Sequence, residues 1–406
     1  SILSHFTVTP PLSREYDQCK AGLSTEETII RILRSINMTV SILCLFMVLG
    51  GPLALAERHK LSEESRNFTD FYHGHGIALP PVLLEIFAMH LSSPVSLSRL
   101  IQTSPLAAIV RGFHNPLPSI PRIFGAKQIS TLPLVFAHGM GDSCFNPGMS
   151  QITDLAAKRA GVYGVCIPTG DNQLSDTVNG FLMNMDRNVE VFAAKVRGDP
   201  KLKNGFHAVG FSQGNSIIRG YIQKYNDPPV NTVIHVHGTI VGVAGFPQCN
   251  PDDNIWCKFL ASLSGDFVYN MVAQQTFFQA NYFRDPKKVD TDYKKYSQLA
   301  VWNNEGPGGV NQTLAENFGK VDKFVMVKAL ADTMVFPNEG EWWGAFAPGD
   351  YSKVLPMNQT EWYQKDLFGL KTADKAGKIH FESTPGNHLQ FSVENLYSWI
   401  DNYILK

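Results

Sequence analysis

The sequence predicts an α/β fold: a mostly parallel sheet covered by helices on both faces. From Leu132 onward, short apolar β-rich runs alternate with helical stretches, the pattern of strands joined by crossover helices. One of these runs leads through a glycine-flanked serine directly into a helical pattern. The chain is also apolar enough to fill a large core, with 44% hydrophobic and 11% aromatic residues over 406 positions.

The strands are expected at Leu132–Ala137, Gly161–Ile167, Phe206–Val209, Val233–His237 and Lys323–Leu330. The fourth is left open to an extension as far as Ala244. A further strand is expected at Lys378–Phe381. Helices are expected over Asp176–Val196, Asn215–Tyr225 and Ser392–Ile404. Upstream, residues 57–130 hold Pro80, Pro81, Pro94, Pro105, Pro116, Pro118 and Pro121. Such spacing permits only short helices joined by irregular chain, and it assigns the segment no function.

The run Val40–Ala56 has the composition of a secretory signal. It is short for a membrane span, it is broken by Gly50, Gly51 and Pro52, and it ends in the small-x-small sequence Ala54-Leu55-Ala56. The chain is therefore divided into an upstream, non-native extension (1–37), a signal peptide (38–56), a proline-containing extension (57–130) and a catalytic domain (131–406). After cleavage near Glu57 no stable transmembrane segment is expected; an uncut signal anchor is the alternative. Asn37, Asn67, Asn311 and Asn358 begin Asn-x-Ser/Thr sequons, and the three downstream of the cleavage point are candidate glycosylation sites. With 17% charged residues and a net charge of −1, the chain lacks the basic surface that nucleic-acid binding needs. No Cys-x-x-Cys pair suggests zinc or thioredoxin-like chemistry.

The chemistry centres on Gly210-Phe211-Ser212-Gln213-Gly214. Preceded by a strand and followed by a helix, it reads as a nucleophile elbow, which places the chain in the α/β-hydrolase fold. A serine hydroxyl needs an imidazole to take its proton and a carboxylate to orient that imidazole. On this fold the order is Ser, acid, His. Asp332 follows the strand ending at Leu330 and would lie at the carboxyl edge of the sheet. An Asx-turn closing the strand is its other reading. Asp322 belongs to the opposite end of that strand, and Glu339 and Glu341 are backups. His388 lies in a turn-rich loop before the last helix and is taken as the base. His207, His235 and His237 fall in or beside core strands and His380 in the last strand, so all four read as structural. The glycine-rich turn His138-Gly-Met-Gly-Asp-Ser143 follows the first strand. The backbone N–H groups of Met140 and Gln213 are therefore the expected oxyanion donors.

Four of these stretches resemble the palmitoyl-protein thioesterases: His138-Gly-Met-Gly-Asp-Ser-Cys144 with Asn146-Pro147, Gly210–Gly214, Lys323–Lys328 before Asp332, and Asn387-His-Leu-Gln390. The similarity runs from about Leu132 to the C-terminus. It implies hydrolysis of palmitoyl thioesters on the cysteines of S-palmitoylated proteins or peptides, in lysosomes, by the Ser212–Asp332–His388 triad and without metal or cofactor. It also implies an acyl groove in an inserted helical region, around Ile255–Tyr282, and a disulfide between Cys249 and Cys257. The chain departs from the family at Phe145, where a second cysteine is usual, and in the strand region Val236–Gly242. A lipase or carboxylesterase would use the same triad on oxygen esters, and a lipid-binding protein on an inactive hydrolase scaffold would lack one of its members.

Overall fold

The computed structural model describes residues 132–245, 265 and 267–406. The extension, the signal segment, Asn37 and Asn67, and both Cys249 and Cys257 lie outside the described residues.

Six strands form one parallel sheet: β1 (Leu134–Ala137), β2 (Gly164–Cys166), β3 (Phe206–Phe211), β4 (Val230–Val236), β5 (Lys323–Ala329) and β8 (Ile379–Thr384), in the order β2-β1-β3-β4-β5-β8. β1, β3 and all of β4 and β5 except Asn231 and Lys323 are buried. That burial explains why they read as continuous apolar runs, since a sheet covered on both sides has no solvent face to leave polar.

Successive residues serve opposite faces, as the pleat requires. Leu134, Phe136, Val209, Phe211, Ile234, Val236, Val325 and Val327 pack beneath two helices, α1 (Pro147–Ala160) and α8 (Val393–Tyr403), through Met149, Ile152, Leu396, Trp399 and Ile400. Val135, Ala137, Phe206, Ala208, Val233, Phe324 and Met326 pack in the larger core on the other face. That core also contains buried residues of α2 (Gln173–Leu182), α3 (Met185–Gly198) and α4 (Gly214–Lys224).

The single helix expected over Asp176–Val196 is two. Met183 is extended, and Asn184 caps α3 by accepting the Arg187 N–H at 2.8 Å, a side-chain bond that favours a fresh helix start over continuation. β4 stops at Val236 instead of running to Ala244, because His237 takes a left-handed φ of +49° and Gly242 one of +86°. Past that break the chain enters the inserted region, whose described part holds α5 (Met271–Thr276) and α6 (Phe278–Tyr282). Its Val268, Val272, Phe277 and Phe278 are buried, and Val268, Phe277 and Phe278 belong to the larger core. Farther along, α7 (Gln312–Gly319) precedes β5. The antiparallel hairpin of β6 (Ala345–Ala347) and β7 (Asp350–Leu355) gives no sequence signal, because β6 is three residues long and no residue of β7 is buried.

The topology itself marks a place for chemistry. The chain leaves β1 toward β2 on one side and returns to β3 on the other, so a crevice opens beyond the carboxyl ends of β1 and β3. The turn after β1 and Ser212 after β3 both lie there.

Candidate active site

Ser212 follows β3 immediately and has φ +51°, a strained turn for a residue with a side chain. The flanking glycines are required sterically. A Cβ on Gly210 would lie 2.2 Å from Asn215 Oδ1, and one on Gly214 would lie 2.4 Å from the Ala137 carbonyl oxygen. α4 starts directly after Gln213, so the peptide N–H following the serine sits at a helix N-terminus.

Ser212 Oγ lies 2.8 Å from His388 Nε2, and His388 Nδ1 lies 2.6 Å from Asp332 Oδ2. With Asp332 holding Nδ1–H, Nε2 is left as the acceptor for the serine hydroxyl proton. Ser212 is 7% exposed and His388 2%, so the line of contacts is shielded from bulk water. Burial alone would raise the Asp332 carboxyl, but its bond to His388 and the His388 charge outweigh that and hold it well below the usual carboxylate range.

Asp332 is also the turn former that its other sequence reading describes. Its Oδ1 accepts the N–H groups of Met334 at 2.6 Å and Val335 at 2.8 Å, while Oδ2 faces the imidazole. Asn387 joins the acid and base loops: its Oδ1 accepts Thr333 N–H at 2.9 Å and His388 N–H at 2.6 Å. The backup acids make no bond to His388 among those of the described residues. Glu339 pairs with Lys328 at 3.0 Å, whereas Glu341 accepts the Ala329 N–H at 2.6 Å and stands against Asp332 itself, burial and then that neighbouring carboxylate raising its pKa well above the usual carboxylate range. Asp322 bonds Asn231 at the far end of β5.

The turn after β1 presses against the nucleophile. A Cβ on Gly139 would meet Ser212 Cβ at 3.2 Å, which puts the peptide leading to Met140 beside the hydroxyl. Buried Asp176, in the first turn of α2, organises this turn. It accepts Ser143 Oγ–H and Cys144 N–H at 2.9 Å, and Thr169 N–H and Gly170 N–H at 2.7 and 3.1 Å. It also pairs with His138 Nε2 at 3.2 Å. Burial alone would lower the His138 pKa, but Asp176 outweighs it and raises the pKa to about 9. In turn Asp176 is lowered to about 2, His138 outweighing burial.

Cys144 forms a disulfide with Cys166, at the end of β2. Neither this bond nor the role of Asp176 was found from the sequence. The available signal was a cysteine in a turn and another in the neighbouring strand, within a chain expected to be secreted.

The Gln213 side chain reaches away from the serine into a buried polar cluster. Its Oε1 accepts Gln279 Nε2–H at 2.8 Å and Tyr282 O–H at 3.0 Å, and its Nε2 donates to the Gly180 carbonyl at 2.8 Å. The elbow is thereby bonded to α6, the part of the inserted region nearest to it in these contacts.

Of the histidines read as structural, His207, His235 and His237 are buried and His380 is half-buried. His235 contacts Asn215 Oδ1 at 3.0 Å, His207 is lowered to about 4 by burial and by Lys323, and His380 lies beside Tyr403. His237 lies against His388, with ring centres 6.0 Å apart.

Residues 133–388 match the family model described as palmitoyl protein thioesterase. Palmitoyl-protein thioesterase 1 of Caenorhabditis elegans is 38% identical over 65% of this chain and 87% of its own length. Palmitoyl-protein thioesterase 3 of Dictyostelium discoideum is 30% identical over 66% and 88%. Lysosomal thioesterase PPT2-B of Xenopus laevis is 27% identical over 53% and 75%. Taken with the parallel sheet and the serine turn after its third strand, these matches place the chain in the palmitoyl protein thioesterase family.

Proposed function

We propose that this protein hydrolyses the thioester between a long-chain acyl group, palmitoyl above all, and a cysteine of an S-acylated protein or peptide. The observation that carries the reading is the unbroken line Ser212 Oγ, His388 Nε2, His388 Nδ1, Asp332 Oδ2 at 2.8 and 2.6 Å in a chain of this family.

In that reading His388 Nε2 takes the Ser212 proton as Oγ attacks the thioester carbonyl. The N–H groups of Met140 and Gln213 hold the resulting oxyanion. The carbonyl re-forms, the C–S bond breaks, and His388 returns its proton to the leaving thiolate. Water, deprotonated by the same nitrogen, then attacks the acyl-serine, releasing the fatty acid and restoring Ser212. The imidazolium formed in each step is stabilised by Asp332, whose lowered pKa keeps it anionic at acid pH. The acyl chain is assigned to the inserted region that begins after β4.

Delivery to the lysosome through the secretory pathway is part of the proposal. It is supported by the signal-like segment Val40–Ala56, by exposed Asn311 and Asn358, and by relatives that include lysosomal thioesterases. Among the described residues no helix is long and apolar enough to cross a membrane.

The test is turnover of a palmitoyl-cysteine peptide against the matched palmitoyl oxygen ester, by wild type and by Ser212→Ala. Preferential thioester cleavage that Ser212→Ala loses supports the proposal. Preference for the oxygen ester makes the protein a lipase or carboxylesterase.

A further inference from the structure

A general base carried on a loop works only if the loop holds it in line with its nucleophile, because a displacement of about 1 Å costs on the order of a hundredfold in rate. His388 lies between Thr384, the last residue of β8, and Leu389, whose φ of +55° turns the chain sharply after the base. Asp332 restrains the ring and Asn387 restrains the peptide before it. The far side of the loop meets His237, a residue that the proposed reaction does not use. His237 is fully buried and fixed at its backbone by a 3.1 Å bond from its N–H to the Val327 carbonyl of β5. Its Nδ1 accepts the Leu389 N–H at 2.8 Å, and its Nε2 lies 3.0 Å from Thr384 Oγ1.

We propose that His237 is a positioning residue: its imidazole spans the base-bearing loop from Thr384 to Leu389 and fixes the direction from which His388 Nε2 meets Ser212 Oγ.

The hydrogen bonds dictate the tautomer. Because Leu389 N–H donates to Nδ1, the ring proton is on Nε2 and is donated to Thr384 Oγ1. A doubly protonated ring would have no acceptor for Leu389. Burial, then the neighbouring His388, push the pKa down to about 3, with Asp332 acting in the opposite sense, so the ring stays neutral in acid. Its other neighbour is the Phe391 ring, edge-on at 6.2 Å, which carries no charge. The backbone is also informative. His237 holds a φ of +49°, where glycine is at ease and histidine is among the few side chains tolerated. The side chain is therefore present at a conformational cost, and its two bonds to the base loop are what that cost sustains.

This inference rests on His388 being the base, and the test separates the two. In His237→Gly the backbone is relaxed, so a loss cannot come from strain. The expected result is a kcat on palmitoyl thioester lowered by about tenfold or more with KM within roughly twofold. The low-field proton resonance of His388 Nδ1–H should also shift or broaden. A kcat within roughly twofold of wild type, or a fall with that resonance unmoved, overturns the proposal. Should His237→Gly not fold, the ring nitrogens of wild-type His237 are read by 15N resonance between about pH 4 and pH 8. A fixed Nε2–H tautomer is expected; an Nδ1–H tautomer or titration in that range overturns it. In parallel, His388→Ala that keeps its activity removes the reading of the site itself, whereas an inactive His388→Ala beside a normal His237→Gly removes only the role of His237.

Discussion

Asp332 shows how one side chain serves fold and site together. One carboxylate oxygen closes the turn after β5 by accepting two backbone N–H groups, and the other meets His388 at 2.6 Å. Asp332→Asn keeps a turn-forming acceptor but presents no charge to the imidazolium. We expect kcat to fall by about 10⁴ with folding preserved, measured as single-turnover thioester cleavage beside a thermal melt; a loss below tenfold would move the acid elsewhere. Ser212, His388 and Asp332 were all legible in the sequence, because the elbow, the chain order and the strand edge each constrain them. Asn387 and His237 were not. Each acts by bonding to backbone far away in sequence, and no spacing rule records which peptide a buried side chain will reach.

At the scale of elements, the turn after β1 is held by the first turn of α2 and by β2, through Asp176 and the Cys144–Cys166 bond. The buried pair predicts a pH signature. His138 has its folded pKa raised from 6.5 to about 9, so its contribution to stability is complete below 6.5 and is lost as pH rises through 9. Asp176, lowered from 3.8 to about 2, contributes fully above 3.8 and loses it as pH falls through 2. The turn is therefore best anchored between these windows, in mild acid. Thermal melts of wild type should fall between pH 6.5 and 9, and the fall should flatten in His138→Gln; equal slopes would mean the pair does not couple to folding. Cys166→Ser should lower stability by about 3 kcal/mol by releasing a closed loop, read from denaturant midpoints, and an unchanged midpoint would show that the turn does not need the bond. The parallel strands were readable because both sheet faces are covered. The division of the long helix at Asn184 and the β6–β7 hairpin were not, since a side-chain cap and a three-residue strand leave little periodicity behind.

At the scale of the whole molecule, the sheet order opens its crevice where β1 and β3 diverge; the glycine turn and Ser212 follow the carboxyl ends of these two strands, and Asp332 and His388 reach the serine from beyond the carboxyl ends of β5 and β8. Fold and site were legible together from Leu132 onward because the same strand-turn-helix unit specifies both. Asn311 and Asn358 are exposed, so passage through the secretory pathway should glycosylate them. Protein from secreting cells should lose mass on N-glycosidase treatment, by less in Asn311→Gln and Asn358→Gln, and no mass change would argue against that route. The most direct test of the catalytic reading is fluorophosphonate labelling of the purified protein, with the modified residue located by mass spectrometry. A single label on Ser212, absent from Ser212→Ala and suppressed in His388→Ala, is the expected result. A folded, glycosylated protein that takes no label at Ser212 would contradict it.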